Sequence, residues 1–307
     1  MIERVCVAGA GVIGSLIAGH LAQVAEVTVL CRREEHARAL NTEGLRISGN
    51  ADLSARVTAA VSPDALPEPD LVVIATKAPG LEAVASSLAG HWPRAVVMPV
   101  LNGLGAEDVV RRFGDWRLIS SVTFISGTKH SDTHVEYILD TETWLGPYED
   151  TPLELAQEAG DLLARSGLKV EVLPDLRPAQ WSKLIFNATV NGVAALTGLP
   201  HDFHFAEEDE PWSLGRLVHA LVDEGKAVAR AAAIDLHDDP WEMNVLATRR
   251  GHAHFPSMLE DVESGRPTEV ELINGALVRE AERHAVPAPR QTALYRLVKA
   301  KEASYSG

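Results

Sequence analysis

The stretch Val5-Cys-Val-Ala-Gly-Ala-Gly-Val-Ile-Gly14 restricts the fold of this chain more than any other. Residues 4–8 are apolar enough for a buried parallel strand, and Gly9, Gly11 and Gly14 then fall at the G-x-G-x-x-G spacing. Each glycine has its own task in such a turn. Gly9 permits the tight bend, Gly11 lets a diphosphate approach the backbone, and Gly14 lets a helix over residues 15–24 pack closely on the strand. The free N–H groups opening that helix then point at the phosphates.

Residues 5–27 are rich in small and apolar side chains, so a signal peptide or a membrane span competes with this assignment. His20 and Gln23 lie inside the run, and no basic stretch beyond Arg4 precedes it. A second short strand, Glu26-Val-Thr-Val-Leu30, follows directly, so a strand–turn–helix–strand unit explains the run better.

A chain of 307 residues is long enough for two domains, each with its own core. The formal net charge of -15, with no basic stripe, excludes nucleic acid as the expected partner. An anionic small molecule remains compatible, because a local pocket can be positive on an acidic protein. Cys6 and Cys31 both fall in predicted strands, which argues against a disulfide framework and for a reducing cytoplasm. No targeting segment, membrane span or internal repeat is evident, so a membrane partner is not expected.

Cys31-Arg32-Arg33 stands where a nucleotide-binding fold chooses its dinucleotide. An acid at this strand end binds the ribose 2′-OH of NAD, whereas an arginine can pair with the 2′-phosphate of NADP. Arg32 favours NADP, with Glu34 or Glu35 as the alternative ribose acid and a solvated charge opening the helix over 34–40 as the plainer role. The near-continuous apolar strand 70–76 ends in Lys77, beyond a strand end where a cofactor would pass. A helix over 81–88 and a strand over 95–100 lead to Asn102, which serves a site or a turn before the helix 106–113 equally well.

Short strands are expected over 117–122, 134–139 and 143–145, as an extension of one sheet with turns at Gly127 and Asp140. A helix over 152–166 and a strand over 169–173 complete the first domain, and Pro174 and Pro178 bracket its boundary. The remainder reads as helical, with Leu214, Leu217, Val218, Leu221 and Val222 on one face, and Ile273, Leu277 and Val278 on another. The expected architecture is an α/β Rossmann-type nucleotide-binding domain over residues 1–176, then an all-α substrate and catalytic domain over 177–307, with the active site in the cleft between them.

In Trp181-Ser-Lys183-Leu-Ile-Phe-Asn187-Ala-Thr-Val-Asn191, the residues Lys183, Asn187 and Asn191 recur every four positions, on one helix face. Leu184, Ile185, Phe186 and Val190 take the other faces, so the polar stripe is buried and needs partners, from neighbouring backbone or from a ligand. By spacing alone Ser257 reads as a helix N-cap and Glu269 as a first-turn carboxylate.

Taken together, these segments resemble the ketopantoate reductase family, the NADP-dependent 2-dehydropantoate 2-reductases, over essentially the whole chain. The matching motifs come in order: Gly9-Ala-Gly-Val-Ile-Gly14, Cys31-Arg32, Ala75-Thr-Lys77, Asn102-Gly-Leu-Gly105, Trp181-Ser-Lys183 with Asn187 and Asn191, Ser257-Met-Leu-Glu-Asp261, and Thr268-Glu269 with Ile273-Asn-Gly275. The resemblance implies NADPH-dependent reduction of a small 2-oxo acid, 2-dehydropantoate, to pantoate for pantothenate and coenzyme A synthesis. It implies Lys183 as general acid and Glu269 as the carboxylate that orients substrate and lysine. Gly9, Ala10, Gly11, Val12, Ile13 and Gly14 would hold the cofactor, with Arg32 and Lys77 near its 2′-phosphate and Asn102 beside both nicotinamide and substrate. Lys183, Asn187, Asn191 and Ser257 would contact the substrate. A homodimer is compatible with the same assignment.

The acidic, aromatic segment 201–210 and the segment 130–142, which lacks the expected glycines, depart from the family pattern. Histidines at His201, His204, His252 and His254 offer no recognisable ligand geometry, so no metal is expected and a solvated loop is the better reading of 201–210. Three other assignments compete. A reductase of another 2-oxo acid or carbonyl compound keeps the site; a non-catalytic NADP sensor is opposed by the intact Lys183, Asn187 and Glu269 set. A β-hydroxyacid dehydrogenase would carry glycine-rich motifs ahead of its lysine, which are missing.

Overall fold

The computed structural model describes residues 1–249 and 255–306. The described chain forms two compact units: Met1–Leu101 with Ala106–Leu176, and Asn102–Gly105 with the chain from Arg177 onward. The four residues Asn102–Gly105 thus belong to the second unit, although the chain on both sides of them belongs to the first, a departure from a single division at residue 176.

In chain order the first unit contains β1 (Arg4–Ala8), α1 (Val12–Leu21), β2 (Glu26–Leu30), α2 (Glu34–Glu43), β3 (Leu45–Gly49), β4 (Leu53–Ala55), β5 (Thr58–Ala60), β6 (Leu71–Ile74), α3 (Ala78–Leu88) and β7 (Val96–Pro99). It continues with α4 (Ala106–Arg111), β8 (Arg117–Thr123), β9 (Ser126–Ser131), β10 (His134–Leu139), β11 (Thr143–Pro147), α5 (Leu153–Arg165) and β12 (Val170–Val172). The main sheet has the order β12-β11-β8-β7-β6-β1-β2-β5. All its pairings are parallel except β8 with β11. After β1 the chain winds outward to β2 and β5, then returns to β6 on the other flank of β1. The strand order therefore reverses between β1 and β6, and it is outside the carboxyl ends at such a switch point that ligands bind in open α/β sheets.

The central strands are apolar because both faces are covered. Val5, Val7, Leu71, Val73 and Met98 are almost fully buried, and each such side chain stabilises the fold by about 1.5–3 kcal/mol on an area basis. Cys6 lies in β1, while Cys31 falls one residue beyond β2; both are buried free thiols.

The expectation for 134–139 fails. β10 does not extend the main sheet but joins a separate sheet of order β4-β3-β10-β9. Gly127 lies inside β9 rather than in a turn, where the carbonyl of Glu136 on β10 comes so close that a Cβ would stand 2.3 Å from it. The hairpin bends instead at Asp132 and Thr133. Strands β4 and β5, of three residues each, are too short for periodicity to reveal them.

The second unit is helical: α6 (Arg177–Thr197), α7 (Leu214–Ala231), α8 (Pro240–Thr248), α9 (Ser257–Glu263), α10 (Asn274–Arg283) and α11 (Pro289–Ala303). α6 is buried on nearly every side and contacts α7, α8, α9, α10 and α11. On α7, Val218, Leu221 and Val222 face the core as expected, but Leu217 is 46% exposed. The segment 201–210 is not wholly a solvated loop: His201 and Phe205 are buried, and Oδ1 of Asn244 accepts from Nε2 of His201 at 2.9 Å while its Nδ2 donates to the Phe205 carbonyl. No helix among the described residues is long and apolar enough to cross a membrane.

Candidate active site

α6 carries Lys183, Asn187 and Asn191 one turn apart, and all three are at least 93% buried, with exposures of 7%, 7% and 6%. Burial removes the water that would solvate the ammonium, so the Lys183 pKa is lowered from 10.5 to about 8, while the nearby Glu269 carboxylate pulls it back up. A lysine titrating near neutral pH can both give and accept a proton at working pH. Hydrogen bonds hold the helix on both sides of Lys183. The Ser182 hydroxyl donates to Pro178 and Asp238 carbonyls, and Asn274 at the start of α10 donates to the Ala188 carbonyl at 2.6 Å.

Glu269 sits in the turn before α10 and not in a helical first turn, as spacing alone suggested. Oε2 accepts from Nδ2 of Asn102 at 2.8 Å. The turn is fixed from several directions. The backbone carbonyl of Glu269 accepts from Leu272 and Ile273, and Thr268 donates through both its N–H and its hydroxyl to Oε1 of Glu302, each at 2.7 Å. Leu104 N–H donates to the Leu272 carbonyl, and Gly103 has φ +99, so close to Leu272 that a Cβ would lie 1.9 Å from its carbonyl oxygen. Only glycine can occupy that position without moving Asn102 away from Glu269.

The side-chain amides of Asn187 and Asn191 have no hydrogen bond to a described residue, although both are buried in the same helix as the lysine. Neither amide is among the fully buried unpartnered polar groups, so both stay reachable for an incoming polar ligand. Ser257 is the first residue of α9, which packs on α6, and its N-cap is Pro256; the N-cap role expected from spacing is therefore not its own. Glu302 escaped the sequence reading because an exposed-looking acid near a C-terminal helix end carries no spacing signal.

In the first unit, the carboxyl ends of β1 and β6 bring the glycine turn beside Ala75-Thr76-Lys77. Gly9 adopts φ +113, and a Cβ on it would lie 2.8 Å from the Ala75 carbonyl. α1 begins at Val12, three residues earlier than expected, so Gly14 lies in its first turn, where a Cβ would stand 1.8 Å from the Gly9 carbonyl before it met Ala75. Gly14 is thus required by the turn more than by the strand. Gly11 caps the helix with no side-chain partner, and nothing lies within 4 Å of where its Cβ would be. That open space over the N–H groups of Val12 and Ile13, together with the buried and unpartnered hydroxyl of Thr76, fits a phosphate group. Ala10 is the turn's middle residue.

Lys77 is the exposed N-cap of α3. The two arginines after β2 divide their duties. Arg33 donates from Nη2 to both carboxylate oxygens of Asp132, at 2.7 and 2.8 Å, whereas Arg32 is exposed and makes no ion pair with a described residue. Glu34 and Glu35 are exposed in the first turn of α2. An unengaged arginine at the strand end fits a 2′-phosphate.

Among the described residues no group of three His, Cys, Asp or Glu side chains is arranged to hold a metal ion. His252 and His254 lie outside the described residues.

Two family profiles match the chain: ketopantoate reductase PanE/ApbA over residues 5–150, and ketopantoate reductase PanE/ApbA C terminal over residues 175–302. The chain is 30% identical over 305 residues to a 2-dehydropantoate 2-reductase of Pyrococcus horikoshii, covering 99% of each. It is similar to the crystal structure of a PanE/ApbA family ketopantoate reductase from Ralstonia eutropha JMP134, with a TM-score of 0.89, 25% identity, and 99% and 100% of the two chains covered. A D-mandelate dehydrogenase solved with NADH and anilino(oxo)acetate shares the fold, with a TM-score of 0.89 and 24% identity over 99% and 100% of the chains. Matched along both units and across nearly its full length, this chain belongs to the ketopantoate reductase family.

Proposed function

We propose that this protein reduces 2-dehydropantoate to (R)-pantoate with NADPH, the first unit binding the cofactor and the helical unit binding substrate and supplying the acid. The observation that carries this reading is the burial of Lys183, which lowers its pKa to about 8, together with the Asn102–Glu269 pair whose carboxylate acts on it. When bound, NADPH supplies the hydride that reaches C2 of the substrate. Lys183 donates its proton to the C2 oxygen, and its charge stabilises the alkoxide as it develops in a site shielded from water. Glu269 keeps the lysine protonated and oriented, and Asn102 fixes the rotamer of Glu269. Asn187, Asn191 and Ser257 take the substrate's carboxylate and hydroxyl groups. Gly9 to Gly14 cradle the diphosphate, and Arg32 with Lys77 reads the 2′-phosphate.

A small anionic substrate, and not nucleic acid, suits a chain of net charge -15. Two buried free thiols suit a reducing cytoplasm, and assembly as a homodimer belongs to the same proposal, to be checked by light scattering.

The fold alone does not choose the 2-oxo acid, since a D-mandelate dehydrogenase shares it. The deciding experiment is NADPH oxidation by the purified protein with 2-dehydropantoate and a panel of other 2-oxo acids. A kcat/KM for 2-dehydropantoate well above the rest supports the assignment. Preference for another acid keeps the hydride chemistry and moves the substrate; no turnover with any of them favours a sensor.

A further inference from the structure

The first unit holds a cation that no motif singled out. Nζ of Lys129, on β9, lies 3.2 Å from the carbonyl oxygen of Ala10 in the glycine turn and 3.0 Å from Oδ1 of Asp132. Gly127 permits this approach, since a Cβ there would already stand 3.2 Å from Cγ1 of Val12. Asp132 is shared: it accepts from Arg33, and its backbone carbonyl lies 2.8 Å from Nε2 of His36. Burial holds the His36 pKa below its usual value, and the neighbouring Lys129 charge lowers it further, so the imidazole is neutral at pH 7. Two cations, Lys129 and Arg33, then face one carboxylate, Asp132. On a chain of net charge -15 these cations, set among the carboxylates of Asp132, Glu34 and Glu35, stand beside the turn that fits a phosphate. The Ala10 carbonyl is a neutral acceptor. A phosphate oxygen is a charged one and makes a shorter, stronger hydrogen bond to an ammonium.

We propose that Lys129 is a cofactor-binding residue, whose ammonium leaves the Ala10 carbonyl for a phosphate oxygen of the bound dinucleotide. This rests on the reading of the first unit as an NADPH site. Two groups of NADPH carry that chemistry, the 2′-phosphate and the diphosphate, and NADH carries only the second.

Calorimetric titration of the full chain with NADPH and with NADH tests the proposal. Lys129→Gln is expected to weaken NADPH by about tenfold or more, the loss that matches one charge-assisted hydrogen bond, while Lys129→Arg keeps most of the affinity. A loss confined to NADPH assigns the contact to the 2′-phosphate; an equal loss for NADH assigns it to the diphosphate. In the unmutated protein, NADPH is expected to protect Lys129 from acetylation as read by mass spectrometry, a result that does not depend on a variant folding. Undiminished binding of both dinucleotides by Lys129→Gln, or acetylation of Lys129 unaffected by NADPH, overturns the proposal. A wild-type chain that binds neither dinucleotide overturns the proposed function instead.

Discussion

Nδ2 of Asn102 donates to Oε2 of Glu269 at 2.8 Å, joining residues 167 positions apart. Glu269 also acts on Lys183, whose pKa it raises against the effect of burial. As a general acid Lys183 must be protonated, so kcat/KM for reduction should fall as pH rises through about 8. Glu269→Gln keeps the shape but removes the negative charge that favours the ammonium. The falling limb of its pH–rate profile should move to lower pH, and an unmoved limb would show that the carboxylate does not tune the lysine.

Removing the acid altogether should cost more than shifting it. Lys183→Ala is expected to lower kcat by at least about 100-fold, the low end for loss of a general acid, with NADPH affinity nearly unchanged. Stopped-flow single turnovers check the first part and calorimetry the second; near-normal turnover would remove Lys183 from the mechanism.

Arg32 and Arg33 are adjacent, but only Arg33 is engaged by Asp132. Arg32→Ala should therefore weaken NADPH by about 10- to 100-fold, the range of a charge-assisted contact, and leave NADH almost as it was. Equal losses for the two dinucleotides would mean that the guanidinium does not read the 2′-phosphate.

The glycines of the turn separate folding from binding. At Gly11 a methyl meets open space, so Gly11→Ala should cost less than about 1 kcal/mol of stability, as for other N-cap changes, yet weaken NADPH by filling the cradle. At Gly14 a methyl would stand 1.8 Å from the Gly9 carbonyl, and Gly14→Ala should cost about 1–3 kcal/mol, as overpacking does. Urea melts alongside NADPH titrations separate the two; equal destabilisation by both would refute the distinction.

The first strand–turn–helix was legible because three glycines at fixed spacing encode backbone demands that few folds make. The face of Lys183, Asn187 and Asn191 was legible for a similar reason, since helical periodicity carries side chains to one side. Glu269 was not legible from spacing: its partner Asn102 lies 167 positions away, and only the family resemblance singled it out. The sheet of β4-β3-β10-β9 was missed because strand 134–139 carries no signal of which sheet it joins, β4 has only three residues, and Gly127 looked like a turn although its task is close packing. Lys129 was missed for want of any motif, because its partner Ala10 lies 119 residues away.

The buried lysine proposed as the acid also leaves a mark on stability. The folded-state pKa of Lys183 is about 8 against an ordinary 10.5, so between those values the unfolded chain holds a proton that the folded chain has released. Stability is then expected to rise with pH across that window as far as this group is concerned, having been lowest below pH 8. Lys183→Met has no such proton, although it leaves the buried Glu269 without its partner and so shifts stability at every pH. The pH-dependent part survives in the comparison: the stability of Lys183→Met relative to wild type should decline steadily as pH rises from about 8 to 10.5. Urea unfolding at a series of pH values measures that difference. A difference constant across the window would mean that Lys183 titrates alike in the folded and unfolded chains, and that burial has not prepared it as an acid.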